Sequence, residues 1–346
     1  MKLKQTRFFA SMLAALFLLA LTAGCGYAAP AKKIIFRLHH NAAPGQALDD
    51  ATVWLSEEMA KKTDGRLDIQ VFGNSTLGSD VAARDMLLEG TLDMCVIGVG
   101  IVSNWSSAVS LLQIPYIIES PEELMAVYTS DYGKKYFHDK FLADQKVRLL
   151  DTWMQSPRQF LGKKPIHQLS DFQGVKLRIP AGMPARDAAW AKMGAMILSL
   201  GMDEAFTALQ QGVCDAVEMP VDFLYAYRFG EQAKQLTMTN HTFYSLFALV
   251  NENSFNKLAP EEQQMLRDCV KEAGETMRLR LLKEDSMYLQ KLQDEFGVEV
   301  TYLTPELVGQ IREKVEPLYA EYMNVWGQEV YDSLMAFLKE YRQKAE

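Results

Sequence analysis

Two periods of apolar and polar positions run along this chain. Alternation with period two predicts β-strands at 33–38 (KIIFRL), 66–72 (RLDIQVF), 93–97, 146–152, 174–179, 215–218 and 298–303. Helical spacing appears between them. The stretch 46–63 carries Ala47, Ala51, Trp54, Leu55 and Met59 on one face and stops at Asp64-Gly65. Shorter helices are predicted at 80–89, 184–193 and 205–211. The stretch 260–296 is a long amphipathic one, and the chain is helical again from Pro305 to its end. Strand and helix alternate, which predicts an α/β fold with mostly parallel pairing.

The pattern restarts once. LLEGTLDM at 87–94 is echoed by LQQGVCDA at 209–216. In each, a helix runs into a glycine and an aspartate three residues later opens a strand. This reads as one equivalent unit in each of two domains. No low-complexity linker separates them, so the domains are expected to be joined by strands that cross between them.

The N-terminus changes the compartment. Lys2, Lys4 and Arg7 precede an apolar run at 8–20, and small residues follow up to Cys25. This is the pattern of a secretory signal peptide over 1–25, and it is shorter than the roughly 20 apolar residues a membrane span needs. Its removal takes away three cations and no acid, so the exported chain is more acidic than the formal −8. Leu-Thr-Ala-Gly-Cys resembles a bacterial lipobox, which would lipidate Cys25; cleavage within 26–31 is the competing reading. Both place the protein outside the cytoplasm. The remaining cysteines, Cys95, Cys214 and Cys269, show no C-x-x-C spacing. The repeated unit puts Cys95 and Cys214 in different domains, so all three are expected to be buried free thiols. The acidic balance and the lack of a basic, aromatic-interleaved patch argue against a nucleic-acid partner.

Enzyme signatures are missing. There is no G-x-S-x-G, no H-E-x-x-H and no phosphate-cradling glycine loop. His39 and His40 are neighbours on a strand end and so face opposite ways, which prevents joint chelation of one ion. No metal and no cofactor is expected. Arg158 and Arg178 remain, each at or just after a strand of the second domain, where α/β sheets hold their ligands. Two guanidinium groups there suit a carboxylate through charge-assisted, bidentate hydrogen bonds. A solvated edge formed by Lys176 and Arg178 is the other reading, and the residues alone leave the choice open.

The order of several motifs narrows it. Lys163-Lys164-Pro165-Ile166 followed by Asp171-Phe172-Gln173-Gly174-Val175-Lys176-Leu177-Arg178-Ile179-Pro180 resembles a motif of the solute-binding proteins of TRAP (tripartite ATP-independent periplasmic) transporters, of the C4-dicarboxylate type. The run 204–215 (EAFTALQQGVCD) is similar to that family's, as are 62–66 (KTDGR), 77–80 (LGSD), Thr239-Asn240-His241 and 257–262 (KLAPEE). The resemblance covers nearly the whole exported chain. It implies a two-domain clamshell with mixed sheets, crossing strands and a long C-terminal helix. Domain I would take 33–155 and 245–285, domain II 156–244 and 286–305, with helices at 306–346 packing on both. It implies capture of a small organic acid and its delivery to a TRAP membrane permease. Arg178 falls on the family's carboxylate-binding arginine and Arg158 on a second pocket arginine, with Glu218 beside them.

The chain also departs from the family. Met219 follows Glu218 where asparagine is common, Met202 replaces an aromatic residue, and Gly98 stands where some members have an acid. A more apolar pocket is therefore expected, with Trp153, Trp105 or Met219 as candidates against the ligand, although ordinary core is the simpler reading of each. Polar groups at His39, Asn41 and Ser75 are the weaker ligand candidates. A ligand sensor for a signalling partner and an extracytoplasmic enzyme are the rival functions; the enzyme would need a nucleophile or an acid–base pair that the sequence does not display.

Overall fold

The computed structural model describes residues 32–180 and 184–345; the export segment and Cys25 lie outside the described residues. The strands are β1 (Ile34–His39), β2 (Leu67–Phe72), β3 (Met94–Gly98), β4 (Val147–Met154), β5 (Gln159–Gly162), β6 (Lys176–Ile179), β7 (Met196–Ser199), β8 (Ala216–Met219), β9 (Gln235–Met238), β10 (Ser245–Asn251) and β11 (Glu299–Tyr302). They form two sheets, one ordered β2-β1-β3-β10-β4 and the other β11-β9-β5-β8-β6-β7. The longer helices are α1 (Ala47–Lys62), α2 (Asp80–Glu89), α3 (Pro121–Thr129), α4 (Pro184–Lys192), α5 (Met202–Gln210), α6 (Pro260–Phe296), α7 (Pro305–Val315), α8 (Pro317–Trp326) and α9 (Gln328–Ala345). None of the described helices is long and apolar enough to cross a membrane.

Both sheets are mixed, which corrects the mostly parallel arrangement suggested by strand–helix alternation. In the first sheet β1 and β3 are parallel, while β10 runs antiparallel to β3 and β4. In the second, β5 is antiparallel to β8 and β9. The antiparallel members are the strands that enter from the other sheet. The chain leaves β4 through 155–158 into β5, and returns from β9 through 239–244 into β10. These two crossings bond to each other: the Gln155 amide donates to Tyr244 O at 3.0 Å and the Arg158 amide to Thr242 O at 3.1 Å. Pattern reading missed β10 because all seven of its residues (SLFALVN) are buried, so no alternation marks it. The C-terminal run is three helices. Pro317 and Gly327, whose φ is 84°, interrupt it.

The repeated unit is a repeated piece of geometry. Gly90 (φ 74°) and Gly212 (φ 73°) both reverse the chain after a helix. Asp93 then accepts from the Arg37 amide with its side chain and donates its own amide to Arg37 O. Asp215 does the same with Lys176. Each aspartate clips its strand to a parallel neighbour, within β1 in one sheet and at the start of β6 in the other. Cys95, Cys214 and Cys269 are buried free thiols, and the first two belong to different sheets.

The long helix α6 is the third connection. Pro260 opens it, and the Glu262 side chain accepts from the Ala259 amide at 2.8 Å. Its first half packs on α1 and β4, and its later turns on the short helix Val221–Ala226 and on Phe229–Glu231. Trp153 of β4 lies beneath it and donates its indole N–H to Val270 O at 3.0 Å. This close approach requires Gly274, where a Cβ would sit 2.3 Å from the Trp153 ring. On the Val221–Ala226 helix Asp222 is buried, with Oδ1 lacking a hydrogen bond. Burial, and then Asp285 of α6, push its carboxyl up to about 7.

Two outcomes follow from this packing. Gly274→Ala should cost about 1–3 kcal/mol by overfilling the contact with Trp153, seen as a lower midpoint in thermal unfolding; an unchanged midpoint would contradict the contact. Asp222 holds its proton more tightly folded than unfolded, so it takes away stability as pH rises from near 4 through about 7. Asp222→Asn should therefore raise the melting temperature more at pH 8 than at pH 5, and equal shifts at both would count against the buried carboxyl.

Candidate ligand-binding site

A cavity enclosing about 710 Å³ of space free of protein atoms, part of it continuous with solvent, lies between the two sheets. Asn41, Ser75, Asp80 and Gly98 line it from the first sheet and its loops; Arg178, Met202 and Met219 line it from the second. Gln155, Arg158 and Tyr244 of the crossing segments also border it.

The wall on the second sheet is built on buried cations. Arg178 is 2% exposed, Arg158 4% and Arg186 of α4 0%. Arg178 Nε and Nη2 both donate to Leu200 O, at 3.1 and 2.7 Å. That carbonyl fixes the guanidinium plane, and Nη1 has no hydrogen-bond partner among the described residues. Arg158 donates Nε to Glu218 Oε2 and Nη2 to Glu218 O. His241 Nε2 lies 3.1 Å from the same Oε2, and Arg186 Nη2 lies 3.5 Å from Oε1. Burial alone would raise the Glu218 carboxyl; Arg158 and Arg186 beside it, with His241, hold it well below the usual carboxylate range instead. Burial, and then Arg158, bring Arg178 down to about 10, which leaves it charged at neutral pH. Burial also lowers His241, against the pull of Glu218.

Two guanidinium groups, Arg158 and Arg186, therefore pair with one fully buried carboxylate, and Arg178 is held by a backbone carbonyl instead. Asp187 is a further acid near Arg186, but it is half-buried, is held by Ser199 Oγ at 3.1 Å and has its carboxyl raised by burial. The wall carries surplus positive charge in a place water reaches poorly, so an anion entering the cavity meets strong, preoriented donors.

The facing wall is polar in a different way. Asp80 is the first residue of α2, where the helix dipole favours its charge. Its carboxylate meets His39 Nε2 at 3.1 Å and accepts from Asn41 Nδ2 at 2.8 Å. Tyr227 donates to Asn41 O at 2.5 Å and steadies that loop. Val81, Ile101, Phe223 and Leu246 supply apolar surface.

Of the residues singled out from the sequence, Arg158, Arg178, Met202, Met219, Asn41, Ser75 and Gly98 border the cavity. Glu218 lies behind Arg158 as its counter-charge. His39 lies behind Asp80. Trp153 does not border the cavity; it is core beneath α6. Trp105 is core as well, edge-on to Phe141 at 5.3 Å. Sequence reading missed Asp80, Gln155, Arg186, Phe223 and Tyr244. Asp80 had a signal, since it ends the LGSD motif. Arg186 sits inside a helix and Tyr244 in a crossing segment, where no local pattern separates a site residue from a surface or core one. Among the described residues no group of three or more His, Cys, Asp or Glu side chains could hold a metal ion.

Comparison with known proteins agrees with this geometry. The family of bacterial extracellular solute-binding proteins, family 7 (DctP), matches residues 38–325. The sialic acid-binding periplasmic protein SiaP of Vibrio cholerae is 26% identical over 283 residues, 82% of this chain and 86% of its own. The C4-dicarboxylate-binding periplasmic protein DctP of Rhodobacter capsulatus is 24% identical over 92% of this chain and 95% of its own. The crystal structure of the sugar acid binding protein DctPAm of Advenella mimigardefordensis, in complex with galactonate, superposes with a TM-score of 0.84 at 23% identity, covering 89% of this chain and 99% of that one. With the family model matching most of its length, the chain belongs to family 7 of the bacterial extracellular solute-binding proteins, the binding proteins of TRAP transporters.

Proposed function

We propose that this protein captures a small organic acid between its two lobes and presents it to a TRAP-type membrane permease. The lobes we assign are 33–155 with 245–285 and 156–244 with 286–305. The observation that carries the reading is the pair of buried guanidinium groups, Arg178 and Arg158, that border the cavity. A carboxylate is the anion that suits a planar donor fork. Relatives point the same way: similar proteins are described as binding sialic acid, C4-dicarboxylates and galactonate.

Each wall has its own part. Arg178, held by Leu200, gives direction; Arg158, held by Glu218, gives a second cation. Asp80 and Asn41 receive the far end of the ligand, accepting from its hydroxyls and donating to its oxygens. The crossing pair 155–158 and 239–244 and the long α6 connect the lobes, and bending there would open and close the cavity. The pattern at 1–25 supports export, with Cys25 as the candidate site of a lipid anchor.

A thermal-shift screen of organic acids tests the reading. An acid at 100 times its Kd should add about 2.7 kcal/mol of stability, a clear rise in melting temperature. Arg178→Lys should weaken that acid at least about tenfold in calorimetry, because lysine keeps the charge and loses the fork. Stabilisation by amines or neutral sugars but by no acid, or equal binding by the lysine variant, would overturn the assignment.

A further inference from the structure

Tyr244 stands where the crossing segment enters β10, and its ring covers the arginine cluster. The centroid lies 4.8 Å from the Arg158 guanidinium carbon and 5.6 Å from that of Arg186. The side chain borders the cavity although the residue is only 5% exposed. Its hydroxyl has no hydrogen-bond partner among the described residues and lies beside Gly98, which also borders the cavity. The hydroxyl therefore opens into the cavity. Its place depends on Gly98 at the end of β3. A Cβ there would lie 2.0 Å from the hydroxyl oxygen and 2.8 Å from Cζ. The ring is rigid and buried between two guanidinium groups and a strand, so it could not step aside cheaply for a methyl group. Burial raises the phenol, against the opposing pull of Arg158 and Arg186, so it is a neutral donor at neutral pH.

We propose that Tyr244 is a specificity-determining residue that donates its hydroxyl to an oxygen on the carbon next to the ligand's carboxylate. The site would then take 2-hydroxy and 2-oxo acids ahead of acids without that oxygen. This rests on the acid-binding reading above. The arginines account for the carboxylate and leave the phenol, one ring length away, with a donor to satisfy. An acid with a 2-oxygen satisfies it. An acid without one displaces water and leaves the donor unpaired, and sites built to bond a polar group discriminate by this penalty. Gly98 belongs to the same device, because it provides the space the hydroxyl occupies.

The test is calorimetric binding to the full exported chain of matched pairs: lactate and propionate, malate and succinate, gluconate and 2-deoxygluconate. Wild type should prefer the 2-oxygenated member of at least one pair by about tenfold or more. Tyr244→Phe keeps the ring over the arginines and should bring that preference close to unity while binding of the partner acid is retained. Gly98→Ala, which pushes the hydroxyl aside without removing it, should lose the same preference. Equal binding of both members by wild type, or an undiminished preference in Tyr244→Phe, overturns the proposal. A wild type that stabilises with none of these or any other acid overturns the acid-binding reading itself, a distinct result.

Discussion

Three buried guanidinium groups that share a single fully buried carboxylate, Glu218, between two of them are the constraint on which the rest of this structure turns. Burying charge is expensive unless each ion is paired and bonded. Here one carboxylate answers Arg158 and Arg186, and a backbone carbonyl fixes Arg178 without neutralising it. The cluster is thus held in place but undercompensated. Its remaining demand for negative charge is directed at the cavity. The Tyr244 ring spreads over two of the cations, so even the aromatic surface at this wall serves the same electrostatics.

The fold exists to hold that cluster against a second wall. Glu218 comes from β8, Arg178 from β6, Arg186 from α4, and Arg158 and His241 from the two crossing segments. Those segments bond to each other, so the ligand wall and the connection between the sheets are one piece of structure. Besides the long α6, a change in the relation of the sheets passes through these two crossings, whose residues Gln155, Arg158 and Tyr244 border the cavity. The aspartate clips at Asp93 and Asp215 fix the strand starts at the other end, far from the cavity, and leave the strand ends free to carry function.

Much of this was readable locally. Helices with strong caps stood out: α2 lies between Ser79 and Gly90, and α6 between Pro260 and Gly297. The repeat around Gly90 and Gly212 was legible because a left-handed turn demands glycine and the following strand demands an aspartate clip. Arg178 was legible as a charge in an apolar strand. What stayed hidden was buried on all sides or set in crossings. β10 has no polar face to mark it, and Trp153, a natural candidate for an aromatic ligand wall, is core because Gly274 lets the long helix close over it.

By itself, the sequence determined the class of fold and its doubled unit, since these depend on periodicity and on turn chemistry, and it picked out two arginines as charges at strand ends without deciding their role. The tertiary structure decided which charges are paired and which are left over. Arg186 and Glu218 are far apart in sequence from Arg158, Asp80 faces them from another sheet, and Tyr244 reaches Gly98 only because two crossings bring β10 beside β3. Pairing and desolvation are set by neighbours in space, and a chain read in order does not contain them.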